Sequence, residues 1–192
     1  MTYAALVLAA GRASRFGSDK LSALLDGEPL LFHAIRAARA APVSRVIVVA
    51  RPGLDVGEWP DGPPVEVVRI ESEALSQSLK AGIAAAAGSE GVFVFLGDMP
   101  RVPLGVAAVL FGRIADSVAA LPRHQGRPGH PALLSARLFP EIASLSGDEG
   151  AGRLLRSRAD VAFVEVDDPA ILLDVDRPED LRAIQDGSRP IR

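Results

Sequence analysis

The sequence contains no cysteine, which excludes disulfides, thiolate nucleophiles and thiolate-bound metals. It also lacks an excess of positive charge, because 21 Lys and Arg stand against 24 Asp and Glu for a formal net charge of −3. A general attraction to nucleic acid or to an anionic lipid surface is therefore not expected. No apolar run approaches the roughly 20 residues that a transmembrane helix needs. We predict a cytoplasmic protein that has neither nucleic acid nor a membrane as a partner.

The apolar stretch at residues 4–10 resembles the core of a secretory signal, but no Lys or Arg precedes it and it is only seven residues long. We expect it to be a buried first strand instead. A chain of 192 residues, 48% hydrophobic and 23% charged, has the size and balance of one ordinary globular domain. We therefore predict a single domain over residues 1–192.

Apolar runs typical of strands alternate with Ala- and Leu-rich stretches typical of helices. Runs such as Val46–Val49 are apolar throughout, the pattern of strands buried on both faces of a parallel sheet. The alternation favours an α/β fold with one doubly wound, mostly parallel sheet. Residues 51–64 and 123–129 are predicted to be exposed loops. Predicted strands span residues 4–8, 45–50, 65–70, 92–96 and 117–121, and predicted helices span residues 29–41, 76–87, 103–115, 136–145 and 178–185.

A glycine-rich segment, LAAGRASRFGSDK at residues 8–20, follows the first predicted strand. It lacks the Gly-Lys-Ser/Thr ending of a Walker loop, and an alanine replaces the second glycine of the dinucleotide fingerprint. Gly11 and Gly17 let backbone N–H groups turn toward an anion, and Arg15 and Lys20 add charge suited to a triphosphate. The alternative is an ordinary strand-to-helix turn with solvated basic side chains.

Carboxylates occur at two places that suit a metal ion. Asp98 follows the apolar strand at 92–96, and a carboxylate at that end of a strand, beside a triphosphate loop, can hold Mg²⁺. Asp174 and Asp176 lie near the end of the chain. Both places also allow a structural interpretation, since Gly-Asp-Met-Pro can be a plain turn and Asp176 can cap a helix that begins at Pro178.

Three further segments carry polar residues. Ser76 opens a predicted helix and can serve as its N-cap. His130 is not paired by sequence with an acid or a nucleophile, and a lone histidine is more often structural than catalytic. Residues 147–153 open another predicted helix, whose first N–H groups favour an anion.

Taken in order, these segments resemble motifs of the sugar-nucleotide and molybdenum-cofactor nucleotidyltransferases. The first loop is similar to A-A-G-x-x-S-R-x-G-x-x-K, and Ser-x-Ser-Leu-x-x-Gly, Gly-Asp-Met-Pro, Pro-Gly-His-Pro, Gly-Asp-x-Gly-Ala and Asp-x-Asp-x-Pro-Glu-Asp-Leu follow between Leu8 and Leu181. The Leu-Ala-Ala-Gly start and Pro-Gly-His-Pro resemble the molybdenum cofactor cytidylyltransferases, whereas guanylyltransferases usually have Leu-Ala-Gly-Gly. Arg177 replaces the usual Thr, and Gly152 replaces an Arg that is shifted to Arg153.

The resemblance implies a Rossmann-like nucleotidyltransferase fold and a Mg²⁺-dependent transfer of CMP from CTP to molybdopterin, with release of pyrophosphate. It assigns catalysis to Arg15, Lys20 and Asp98, and the metal to Asp98 with Asp176 rather than Asp174. The nucleotide-binding residues it implies are Leu8, Ala9, Ala10, Gly11, Ser14, Arg15, Gly17, Lys20, Ser76, Ser78 and Gly82. The acceptor-binding residues it implies are Gly129, His130, Pro131, Asp148, Gly150 and Arg153.

Other functions stay open at this point. The enzyme alternatives are a guanylyltransferase or another NTP transferase with a different phosphorylated acceptor. A carrier or chaperone that delivers the finished cofactor to a molybdoenzyme or its maturation factor is a second class. A nucleotide-binding module without chemistry is a third.

Overall fold

The computed structural model describes residues 2–11, 16, 19–72, 74–147, 150–156 and 158–187. Its centre is an eight-stranded sheet, and a separate two-stranded hairpin stands beside it. The strands are β1 (Tyr3–Ala9), β2 (Leu24–Leu25), β3 (Glu28–Pro29), β4 (Arg45–Ala50), β5 (Val65–Arg69), β6 (Gly91–Leu96), β7 (Ala119–His124), β8 (Arg127–Pro128), β9 (Ala132–Ser135) and β10 (Val161–Glu165). The helices are α1 (Leu30–Arg39), α2 (Leu75–Ala85), α3 (Val106–Phe111), α4 (Phe139–Ala143), α5 (Ala151–Leu155) and α6 (Pro178–Gln185).

The sheet has the order β10-β7-β9-β6-β1-β4-β5, with β8 paired to β7. The block β6-β1-β4-β5 is parallel throughout, and β10 is parallel to β7. Strand β9 runs antiparallel to both β6 and β7 and joins the two parallel parts. The predicted α/β fold with a mostly parallel sheet is confirmed.

Helices cover both faces of the sheet, as a doubly wound fold requires. Along β1, Ala5 and Val7 point into the core shared with α1 and α3. Ala4 and Leu6 point into the opposite core, shared with α2, α4 and α5. Because both faces are covered, residues 4–9 of β1 carry no polar side chain, which is why this part of the sequence is continuously apolar.

Two predicted segments differ most from the structure. Residues 123–129, expected to be a loop, form a β-hairpin of β7 and β8, turned by Gln125 and Gly126, which have φ values of 50° and 79°. This pair of left-handed residues matches the twist of a two-residue hairpin turn. The helix expected at 136–145 divides into a 3-10 turn, Ala136–Leu138, and the five-residue α4, which has a proline in its first turn.

Helix α3 spans only Val106–Phe111 of the predicted 103–115, and β7 begins two residues and ends three residues later than the predicted strand 117–121. Other predicted elements agree closely. Strand β4 and helix α6 have the predicted bounds, and residues 51–64 contain no helix or strand. Leu54 and Val56 of this loop are nevertheless buried in the core beside α1. None of the described helices is long and apolar enough to cross a membrane.

Candidate active site

The carboxyl ends of β1, β4 and β6 meet at one edge of the sheet because these strands are parallel neighbours. Leu8 and Ala9 end β1, Ala10 after them is buried, and Gly11 is exposed. Of the rest of the glycine-rich segment, the structure describes Phe16, Asp19 and Lys20. Three of its candidate residues, Ser14, Arg15 and Gly17, lie outside the described residues.

Lys20 joins two carboxylates that are far from it in the sequence. Its Nζ atom donates to Oδ2 of Asp98 at 2.8 Å and lies 3.5 Å from Oδ1 of Asp176. The Lys20 side chain is 13% exposed, and the carboxylates are 26% and 31% exposed. The structure therefore brings together three candidate residues from three separate segments at the predicted edge of the sheet.

The segment that carries the second carboxylate is fixed by backbone and packing. The N–H of Val175 donates to the carbonyl of Asp98 at 3.0 Å, and the Val175 side chain is fully buried in a cluster that includes Phe16 and Leu30. Asp176, the residue favoured by the resemblance as second metal ligand, forms an ion pair with Lys20.

The interpretation of Asp176 as a helix cap is wrong. Helix α6 has Arg177 at its N-cap position. The carboxylate at its start belongs to Asp180, whose Oδ2 accepts the N–H groups of Asp176 at 2.9 Å and Arg177 at 2.8 Å. The Asp176 carboxylate is directed to Lys20 instead.

The pair Asp98 and Asp176 suits a hard divalent cation. Carboxylate oxygens are the ligands that Mg²⁺ prefers, and protein sites for nucleotide-bound Mg²⁺ commonly supply one or two of them, with phosphates and water completing the shell. Across the described ranges, no group of three or more His, Cys, Asp and Glu side chains is arranged to hold a metal. Two carboxylates fit a cation that shares its coordination shell with a phosphorylated ligand.

His130 lies in the connection from β8 to β9. Its Nδ1 is 3.3 Å from the carbonyl oxygen of Val94, so Nδ1 carries the proton, since a carbonyl can only accept. Loss of surrounding water lowers the pKa of His130, against the opposite effects of that hydrogen bond and of the charges of Asp98 and Asp174. The imidazole is therefore neutral at pH 7, with Nε2 as an acceptor.

The backbone on either side of His130 is tied to the rest of the protein. The N–H of Gly129 donates to the carbonyl of Pro122 and that of His130 to the carbonyl of Ile171, both at 2.9 Å. A Cβ atom on Gly129 would lie 2.3 Å from the carbonyl oxygen of Ile171. Only glycine allows this approach, so Gly129 has a structural reason besides its predicted role.

A cavity of about 550 Å³ opens beside His130. Its walls are mainly leucine side chains from β1, α2, β6, β7 and α5, and its polar lining includes Arg153 and Arg156. Of the predicted acceptor residues, Gly129, His130, Gly150 and Arg153 line it, Pro131 directly follows His130, and Asp148 lies outside the described residues. Arg156 was missed in the sequence; its only signal is its position three residues after Arg153, the spacing of neighbours on a helix.

The predicted nucleotide residues of α2 make structural contacts. Ala74, not Ser76, is the N-cap of α2, so the capping interpretation is wrong. The Ser76 hydroxyl donates to the carbonyl of Gly147 at 2.7 Å. The Ser78 hydroxyl donates to that of Ser72 at 3.0 Å, and both α2 serines are buried.

Gly82 has a packing reason of its own. A Cβ atom there would lie 2.9 Å from Cδ1 of Leu6 and 3.2 Å from Cγ2 of Val49. Gly82 therefore lets α2 approach β1 and β4 closely, and this contact accounts for the glycine without a ligand.

One ion pair at the site was not predicted from the sequence. Arg51, the first residue after β4, pairs with Asp19, the residue before Lys20. Burial acts to raise the pKa of Asp19, but hydrogen bonds from Arg51 and Ser22 outweigh it and hold that pKa below its ordinary value. Each partner alone resembles a solvated surface charge, so no sequence pattern indicates the contact.

Several known proteins are similar in sequence to this chain over most of its length. The chain is 29% identical over 187 residues to the purine catabolism protein PucB of Bacillus subtilis, covering 90% of this chain and 91% of that protein. It is 33% identical to a 2-C-methyl-D-erythritol 4-phosphate cytidylyltransferase of Chromobacterium violaceum, covering 86% and 81%. It is 26% identical to the molybdenum cofactor cytidylyltransferase of Escherichia coli, covering 91% of each.

Solved structures are also similar to this chain. Rv0371c from Mycobacterium tuberculosis H37Rv superposes with a TM-score of 0.83 at 27% identity, covering 97% of this chain and 99% of that one. Its complex with manganese superposes with a TM-score of 0.78 at 26% identity, with the same coverage. The family model described as the MobA-like NTP transferase domain matches residues 5–162. The chain therefore belongs to the MobA-like NTP transferase family.

Proposed function

We propose that this protein is a Mg²⁺-dependent cytidylyltransferase that transfers CMP from CTP to molybdopterin and releases pyrophosphate. The observation that carries the proposal is the convergence of Lys20 with Asp98 and Asp176 at the edge of the sheet, next to a cavity with room for an acceptor. In an α/β sheet this edge is where ligands bind. The protein would act in the cytoplasm as one domain, with a molybdoenzyme or its maturation factor as recipient of the product.

The reaction that we propose needs positioning and charge more than proton transfer. A phosphate on the acceptor is already ionised at neutral pH and can attack the α-phosphate of the nucleotide in line, so no general base is required. Asp98 and Asp176 would hold Mg²⁺, which supplies positive charge to the phosphate oxygens. Lys20, together with Arg15, would offset the negative charge that builds up as pyrophosphate leaves.

In the proposal, Lys20 changes partners during the cycle. Its ammonium pairs with both carboxylates in this structure, and the same group would turn to the phosphates when triphosphate and metal arrive together. A four-carbon stem with three rotatable donors permits such an exchange.

The cavity supports a molybdopterin acceptor. Its leucine-rich walls suit a flat heterocycle, while Arg153, Arg156 and His130 offer positive charge and a hydrogen-bond acceptor at its boundary. The donor assignment to CTP is supported by Ala10, which gives the Leu-Ala-Ala-Gly start, and by the two relatives that are named cytidylyltransferases.

A second candidate shares the nucleotide and differs in the acceptor. Similarity to the methylerythritol phosphate cytidylyltransferase is, at 33%, higher than to the molybdenum cofactor enzyme. A polyol phosphate would be the acceptor in that case. The apolar walls of the cavity argue against it, because burying hydroxyl groups against leucine without partners is costly.

The test is pyrophosphate release from purified protein with each of CTP, GTP, ATP and UTP, in Mg²⁺ or EDTA. Each triphosphate is combined with molybdopterin or with 2-C-methyl-D-erythritol 4-phosphate. Turnover only with CTP, Mg²⁺ and molybdopterin is the expected result. Turnover with GTP would overturn the base assignment, and turnover with the polyol phosphate would overturn the acceptor. Tight cofactor binding without turnover in any mixture would favour the carrier alternative.

A further inference from the structure

An ion pair outside the carboxylate site connects β4 with the residue before Lys20. Arg51 follows β4 directly, and its guanidinium pairs with Oδ2 of Asp19. The same Oδ2 accepts the hydroxyl of Ser22 at 2.6 Å. Asp19 is the N-cap residue of the 3-10 turn Lys20–Ser22, so these contacts enclose the turn that begins with Lys20.

Arg51 is itself held from the neighbouring strand. Nη1 of Arg69, the last residue of β5, donates to the carbonyl of Arg51 at 2.9 Å and to that of Leu54 at 2.7 Å. The N–H of Leu54 also reaches the Arg51 carbonyl, at 3.4 Å, and the Leu54 side chain is buried. The backbone of Arg51 is therefore held in place beside the sheet. Through its ion pair, the Arg51 side chain can in turn hold Asp19 in place.

The Arg51–Asp19 ion pair is too exposed to contribute much to the free energy of unfolding. The Arg51 and Asp19 side chains are 31% and 38% exposed, and exposed ion pairs contribute little to stability. Their positions give them a different effect. Consecutive Cα atoms are only about 3.8 Å apart, so a displacement of Asp19 moves the backbone of Lys20 and with it the ammonium that contacts Asp98.

We propose that Asp19 and Arg51 are a positioning pair that fixes the backbone of Lys20 for nucleotidyl transfer. This inference rests on the proposed function of Lys20. Arg51 acts through Asp19 and does not contact the nucleotide. Because a misplacement of about 1 Å can reduce turnover by about 10²-fold, loss of the pair lowers kcat while the affinity for the triphosphate changes little.

A double-mutant cycle tests the pair directly. The variants are Asp19→Asn, Arg51→Met, the double variant, and Arg51→Lys, which keeps the charge. The matched control is Arg36→Met, which removes an exposed ion pair between α1 and Glu28 of β3 that does not include Asp19 or Lys20. Each single variant should lower kcat about tenfold, and the double variant should be no worse, because the two residues act as one unit. Arg51→Lys should recover most of the loss, and Arg36→Met should match the wild type.

The sequence offers a second readout that does not depend on turnover. It contains only two lysines, Lys20 and Lys80, so lysine-specific isotope labelling gives two side-chain NMR signals, which Lys80→Arg assigns. In Asp19→Asn and Arg51→Met, the Lys20 signal should shift and the Lys80 signal should not.

The other possible outcomes would contradict either this inference or the proposed function. Additive losses in the double variant would overturn the inference, because Arg51 would then act independently of Asp19. An unmoved Lys20 signal in both single variants would also overturn it. A wild type that lacks transferase activity while the Lys20 signal still responds would refute the proposed function and leave the structural coupling supported.

Discussion

Replacing Lys20 with methionine should abolish most nucleotidyl transfer without unfolding the protein. Methionine keeps an unbranched apolar stem and removes the ammonium that contacts Asp98 at 2.8 Å and Asp176 at 3.5 Å. The chain provides its own matched control in Lys80, the only other lysine, which lies on α2. Lys80→Met should therefore have wild-type activity.

The size of the effect follows from how Lys20 is placed. Removing one preorganised group that stabilises charge in a transition state costs about 2.7–4 kcal/mol, or 10²–10³ in turnover. Lys20 is 13% exposed, so water screens it weakly and the larger value is expected. The effect on stability should be small, because the carboxylates are partly exposed and such pairs contribute on the order of 1 kcal/mol. The melting temperature should fall by about 2–4 °C.

The assay is pyrophosphate release at saturating triphosphate, with the melting temperature measured on the same preparations. A drop of 10²-fold or more in kcat for Lys20→Met, with Lys80→Met unchanged, is the expected pattern. A folded Lys20→Met variant with turnover within about threefold of the wild type would refute the role of Lys20.

Lys20→Met should bind Mn²⁺ about tenfold more tightly than the wild type without nucleotide, because no ammonium competes for the carboxylates; equal affinities in an EPR titration would contradict this. Gly129→Ala should cost about 2 kcal/mol or more in denaturant unfolding, since its Cβ would lie 2.3 Å from the Ile171 carbonyl oxygen; wild-type stability would refute the close approach. The lowered pKa of His130 means that the unfolded chain binds more protons below about pH 6.5, so acidification should destabilise the wild type more than His130→Asn. Parallel pH dependences would exclude His130 as the cause.

The sequence predicted strand bounds best for strands that are buried along nearly their whole length. Strand β4 has the predicted bounds because all its residues except Arg45 are buried, so its apolar run ends where the strand ends. Asp98 was proposed as a site residue because it follows such a run, and the structure places it beside Lys20. Edge strand β10 was not predicted, although its sequence, VAFVE, is rich in residues that favour strands, and all its residues are partly buried or exposed.

Contacts between distant segments could not be predicted from either partner. Asp19 and Arg51 each resemble a solvated charge, and only the parallel pairing of β1 with β4 brings their segments together. At Gly82, the sequence motif did not indicate the role of the glycine in packing. Its place in a family motif suggested nucleotide binding, but the space that it leaves for Leu6 and Val49 depends on how α2 packs on the sheet.

Packing rather than charge sets the relation between the glycine-rich segment and the second carboxylate. A small cluster contains one buried side chain from each of several site elements: Phe16, Leu25, Leu30, Val175 and Ile184. Burying each such side chain contributes about 1.5–3 kcal/mol, more than the order of 1 kcal/mol that the partly exposed Lys20–Asp176 pair supplies. The ion pair can therefore open when phosphates compete for Lys20, while the backbones that carry both groups stay in place. In a site arranged in this way, Lys20 can exchange its ionic partners while the backbone stays in place. A backbone that does not reorganise is the condition for electrostatic stabilisation of a transition state.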